Sequence, residues 1–174
     1  MGDTLDKILA VFRDSTTRRF KYKKGQPIGY KDVKDYLDRF LQYFDKANSG
    51  VTGIVLYGSI ARGTGRTDSD IDLLFLTDNE GKTYREIENA KGHLYTGEYA
   101  DLLARRGLPM VHLSTRIVQN GKFEQDIERS RRNKGGFAYN CADDGVVLCD
   151  VDGRTKRYLE ELRTEPHEKD MLIP

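Results

Sequence analysis

The sequence predicts an α/β (α+β) fold, a small mixed sheet packed by helices, and three observations predict it. Two short, β-branched apolar runs lie at 53–57 and 71–77. Amphipathic helical segments precede and follow them. The order of elements alternates helix, strand, strand, helix, strand, helix, strand, helix, which is the pattern of a sheet covered by helices. At 174 residues the chain is the size of one domain, and we expect a single folded unit over 30–174 preceded by an extension over 1–29.

Within 1–29 a short helix is expected at 4–13, where Leu5, Ile8, Leu9 and Phe12 share a face, followed by a basic stretch at 18–24 that alternates cations with aromatics. That stretch reads either as an arm against phosphates or as a hairpin edge guarded by lysines. From 30 to 47 the residues Val33, Tyr36, Leu37, Phe40, Leu41 and Phe44 follow the i, i+3, i+4, i+7 rhythm of an amphipathic helix, and Asn48-Ser49-Gly50 ends it. The apolar runs at 53–57 and 71–77 read as buried strands. A helix is expected over 82–106, with Gly92 and Gly97 as possible breaks. A third strand is expected at 108–113, then a helix at 123–132, a strand at 146–149 and a terminal helix at 155–163.

Composition narrows the class of function. Lys plus Arg number 29 and Asp plus Glu 28, so no overall field steers the chain to nucleic acid. The local basic stretches at 18–24 and 129–134 are thin support for a nucleic-acid acceptor. No run of eighteen apolar residues occurs and no membrane association is expected. Cys141 and Cys149 match neither a zinc site nor a disulfide framework, and free thiols in a reducing cytoplasm are the expectation.

The loop between the first two strands carries the chemistry. It runs Gly58-Ser59, then the ten residues Ile60 to Ser69, then Asp70-Ile71-Asp72. A Gly-Ser pair directly after a strand lets backbone N–H groups and a hydroxyl approach phosphate oxygens. Asp70 and Asp72 are two apart at a strand entrance, so both carboxylates face one way and repel unless a cation lies between them. Two carboxylates with open positions suit Mg²⁺ (or Mn²⁺), which keeps waters and takes substrate phosphates as its remaining ligands. Arg62 and Arg66 are candidates to steady a triphosphate or are solvated loop residues, and Asp68 is read as ordering the loop.

This arrangement resembles the DNA polymerase β-type nucleotidyltransferase superfamily, and within it the minimal nucleotidyltransferases. Their signature is Gly-Ser, ten residues, then Asp-x-Asp. The resemblance implies transfer of a nucleoside monophosphate, AMP the expected one, from an NTP to an acceptor hydroxyl on Mg²⁺. It also implies a possible HEPN-type partner protein as acceptor, as in toxin–antitoxin pairs. A second acceptor class is a small molecule of the aminoglycoside type, for which the chain after the third strand is short. Family members usually carry a third carboxylate on the next strand. Here His112 takes that place, with Met110 and Ser114 expected on the same face. Three readings follow: His112 serves as ligand or base; Glu98, Asp101 or Glu124 supplies the carboxylate; or the protein is a non-catalytic nucleotide-binding module. A further reading makes His112 a satisfied core side chain.

Overall fold

In the computed structural model the described residues are 27–66, 69–96, 112–133 and 136–164. The helix at 4–13, the basic stretch at 18–24, Asp68, Gly97, Glu98 and Asp101 lie outside them. The described elements are β1 (Pro27–Ile28), α1 (Tyr30–Tyr43), α2 (Lys46–Ser49), β2 (Val51–Tyr57), α3 (Gly58–Ala61), β3 (Gly65–Arg66), β4 (Ile71–Thr77), α4 (Glu80–Thr96), β5 (Leu113–Gln119), α5 (Asn120–Asn133), α6 (Phe137–Asp144), β6 (Val146–Asp150) and α7 (Arg154–Thr164). The fold is α/β, with a mixed four-stranded sheet ordered β5-β4-β2-β6 and a small ribbon of β1 with β3. β2 runs antiparallel to β4 and β6, and β4 runs parallel to β5.

Alternation along β2 and β4 sends apolar side chains to both faces, which is why these strands read as continuous apolar runs. On one face Ile54, Leu56, Ile71, Leu73 and Phe75 pack with Val33, Leu37 and Phe40 of α1 and with Ile87, Ala90 and Leu94 of α4. On the other, Val55, Leu74 and Leu76 pack with Phe123 and Ile127 of α5, with Ala138 and Cys141 of α6, and with Leu159 and Leu162 of α7. The stripe of α1 faces inward as its periodicity requires. A Cβ on Gly53 would stand 1.9 Å from Thr155 Oγ1, so only glycine lets α7 lie this close to β2.

Several boundaries differ from expectation for local reasons. The helix at 30–47 is two helices: α1 ends at Tyr43, and Asp45 caps α2 by accepting the Asn48 N–H at 3.2 Å. α4 passes through Gly92 without a break: the packing of Ile87, Ala90 and Leu94 into the core outweighs the roughly 1 kcal/mol that a glycine costs a helix interior. A strand occupies Leu113–Gln119, with His112 just before it; of the strand expected at 108–113, residues 108–111 lie outside the described ones. The middle of this strand, Ser114-Thr115-Arg116, is polar because among the described residues β5 borders the sheet beside β4 alone and is buried on fewer sides, so hydropathy understated it. α6 was not anticipated, although Ala138, Cys141 and Ala142 are buried at i, i+3 and i+4.

Cys141 is fully buried, and burial, with Asp144 nearby, pushes its thiol up to about 12. Cys149 is half-buried, and both thiols are free. A thiol reagent at pH 8 should therefore modify Cys149 alone in the folded protein and both cysteines in denaturant, because the thiolate is the reactive form. Equal labelling rates at the two positions in the native chain would contradict the burial of Cys141. Among the described residues no helix is long and apolar enough to cross a membrane.

Candidate active site

The register of three strands assembles the site. Asp72 lies opposite Tyr57 at the end of β2 and opposite Ser114 at the start of β5. Partners across a ladder share a face, so Tyr57, Asp72 and Ser114 all project toward the α5, α6 and α7 side of the sheet. Asp70 comes just before β4, and His112 just before β5; the Ile71 N–H donates to the His112 carbonyl at 2.9 Å and holds the two strand entrances together. His112 Nδ1 stands 3.3 Å from Asp70 Oδ1. His112 is thus beside the carboxylate pair, as the alternation suggested, but its side chain is 70% exposed, so it is no core residue. Glu124, offered as a substitute carboxylate, lies instead on α5, where the Tyr158 hydroxyl donates to it.

Gly58 opens α3 with φ +78°, a region that side chains rarely adopt. A Cβ there would also meet Asp72 Oδ2 at 2.5 Å. The glycine therefore does two jobs, turning the chain out of β2 and leaving room for the carboxylate. Ser59 follows, with its carbonyl accepting the Thr64 N–H at 2.9 Å, which closes the loop behind it. Arg62 ends α3 and pairs with Asp144 of α6 at 2.5 Å. Its charge also favours the ionised form of Asp72. Arg66 is exposed on β3, its N–H bonded to the Ser69 hydroxyl at 2.9 Å, and it lies opposite Pro27.

Burial raises the Asp72 carboxyl above the usual range, and the neighbouring charge of Asp70 adds to this; a hydrogen bond from the Ser114 hydroxyl and the Arg62 charge oppose it. The folded state therefore holds the Asp72 proton more tightly than the unfolded chain does. This contribution to stability is present at low pH and is lost as pH rises through the raised folded value. We expect Asp72→Asn to melt slightly higher than the native chain at pH 7, with the gap closing as pH falls below about 4. Melting curves of the two proteins across pH 3–8 check this, and a gap that widens toward acid would refute the sign.

Burial and the neighbouring charge of Asp70 make ionisation of Asp72 costly, a cost that a hard divalent cation beside the two carboxylates would offset. Among the described residues no group of three or more His, Cys, Asp and Glu forms a self-contained metal cage. Magnesium does not require one, since waters and phosphates complete its shell. Ser114, expected on the face of His112, bonds Asp72. Arg116 of β5, whose guanidinium lies 3.7 Å above the Phe137 ring, was not singled out by the sequence, and only the strand register brings it forward.

Residues 37–132 match the family model of the nucleotidyltransferase domain. That is more than half of the chain, and the chain belongs to this family. Similar solved structures include a toxin-antitoxin MntA-HpeT mutant, 10% identical over 75% of this chain and 84% of that one, with a TM-score of 0.36. Another is a toxin-antitoxin with AMP-PNP, 13% identical over 75% and 84%, with a TM-score of 0.37. A second MntA-HpeT mutant is 10% identical over 75% and 83%, at 0.33. No curated protein matches the chain in sequence.

Proposed function

We propose that this protein transfers a nucleoside monophosphate, AMP by preference, from an NTP to an acceptor hydroxyl and releases pyrophosphate. The observation that carries the reading is the placement of Gly58-Ser59 against Asp72 by the β2–β4 register, with Asp70 beside it. Asp70 and Asp72 would hold Mg²⁺ or Mn²⁺, which would supply positive charge to offset the charge that builds on the phosphates in an in-line displacement. The Ser59 hydroxyl and neighbouring backbone orient the outer phosphates. Ser114 fixes the Asp72 carboxylate through its hydrogen bond. Arg62, tied to Asp144, adds positive potential at the same carboxylate. The cytoplasm is the proposed compartment, and a partner protein of the HEPN type is the acceptor to test first, on the sequence resemblance to minimal nucleotidyltransferases. Incubation with Mg²⁺ and each labelled NTP, with the product of the neighbouring gene or with an aminoglycoside, tests the reading; no transfer from any NTP to any acceptor would overturn it.

The contact of His112 with Asp70 favours one sharper form of this proposal, in which the imidazole serves as base or ligand in place of the third carboxylate. His112→Ala should then lower turnover by roughly 10²-fold or more, the usual worth of a positioned base. The melting temperature should hold, because the side chain is exposed. Turnover unchanged in His112→Ala would remove His112 from the chemistry. If the native chain binds NTP without transfer while His112→Asp transfers, the protein is a nucleotide-binding module that lacks only the third carboxylate.

A further inference from the structure

Arg116 is two residues beyond Ser114 on β5 and opposite Leu74, so it leaves the sheet on the same face as Asp72. Its guanidinium lies 3.7 Å from the centroid of the Phe137 ring on α6. Phe137 in turn meets the Tyr57 ring edge-on, with centroids 5.3 Å apart and planes at 90°. Tyr57 is the residue opposite Asp72 and the one directly before Gly58. The contacts therefore run without a gap from Arg116 through Phe137 to Tyr57, at the root of the Gly58-Ser59 turn.

A stacked guanidinium uses its flat face against the ring and keeps its N–H donors at the rim of the plane, a geometry suited to gripping an oxyanion with two parallel bonds. Arg116 is exposed, and among the described residues it has no ion pair with a carboxylate. Arg62, the guanidinium whose charge acts on Asp72, is already matched by Asp144. A triphosphate drawn to a metal between two carboxylates brings several negative charges to a face that is itself acidic. Arg116 extends from the sheet on that face, exposed and, among the described residues, without a carboxylate partner.

We infer that Arg116, laid flat on Phe137, is the residue that grips the phosphate chain of the nucleotide held at Asp70 and Asp72. The inference rests on the proposed function and adds a phosphate-binding residue to it. Calorimetry on the full chain with MgATP, magnesium pyrophosphate and adenosine separates the two. For Arg116→Gln we expect MgATP and pyrophosphate binding to weaken roughly tenfold or more, the scale of one charge-assisted hydrogen bond, with adenosine binding and melting temperature unmoved. Arg116→Lys should recover part of the loss, as a point charge without the fork. Phe137→Leu, which keeps the cation and removes its platform, should fall between native and Arg116→Gln. If Arg116→Gln binds MgATP within about twofold of native while the Asp70→Asn, Asp72→Asn double variant does not bind it, Arg116 is wrongly assigned and the proposed function stands. An equal loss for adenosine would likewise overturn the phosphate assignment. A native chain that binds neither MgATP nor pyrophosphate would overturn both.

Discussion

Replacing Asp70 and Asp72 together by Asn should abolish tight binding of MgATP while the protein stays folded. Loss of a group that merely supports a metal ligand typically costs about 10–100-fold in metal affinity, so loss of both carboxylates should cost more than about 100-fold. Stability should hold or rise, since burial and the adjacent Asp70 already oppose the charge on Asp72. Asn keeps the shape of Asp but not its charge, so the Ser114 contact loses strength without leaving a hole. Calorimetry with MgATP, with and without a chelator, and melting curves on the same samples give the two readouts. Native affinity for MgATP in the double variant, or native affinity that survives chelation, would show that the carboxylates do not bind nucleotide through a metal.

Gly58→Val should be the most damaging single change in the loop. It asks a β-branched residue to adopt φ +78° and places a Cβ 2.5 Å from Asp72 Oδ2. Backbone strain of this kind costs about 1–3 kcal/mol, and the clash must be relieved by moving either the turn or the carboxylate. Either movement disturbs the fit of Gly58 against Asp72. Both melting temperature and MgATP affinity should fall, with Gly58→Ala intermediate because alanine tolerates a positive φ better than valine does. A Gly58→Val protein that melts and binds as the native chain does would mean that the Gly-Ser turn and Asp72 do not meet.

Much of this site is visible in the linear order. Gly58, Ser59, Asp70 and Asp72 occupy one loop and one strand entrance, so their proximity depends on local geometry that spacing encodes. The paired apolar runs of β2 and β4 are similarly legible, because strands buried on both faces must be apolar throughout. β5 was less so. Beside a single described neighbouring strand it tolerates Ser114, Thr115 and Arg116 in its middle, which weakens its apolar pattern. α6 was overlooked because its buried positions are two alanines and a cysteine, small residues with little weight in a hydropathy pattern.

The sequence by itself determined the α/β class, the Gly-Ser turn and the paired carboxylates, because each of these is written in the spacing of neighbouring residues. Tertiary structure alone decided what surrounds them. The parallel register of β4 with β5 set Ser114 against Asp72 and His112 against Asp70, and a slip of one residue would have turned those side chains to the opposite face. Packing of α6 on β2 put Phe137 on Tyr57 and under Arg116, and brought Asp144 to Arg62. Partners this far apart in the chain are chosen by the docking of separate elements, whose energetics depend on the whole buried surface rather than on any local pattern.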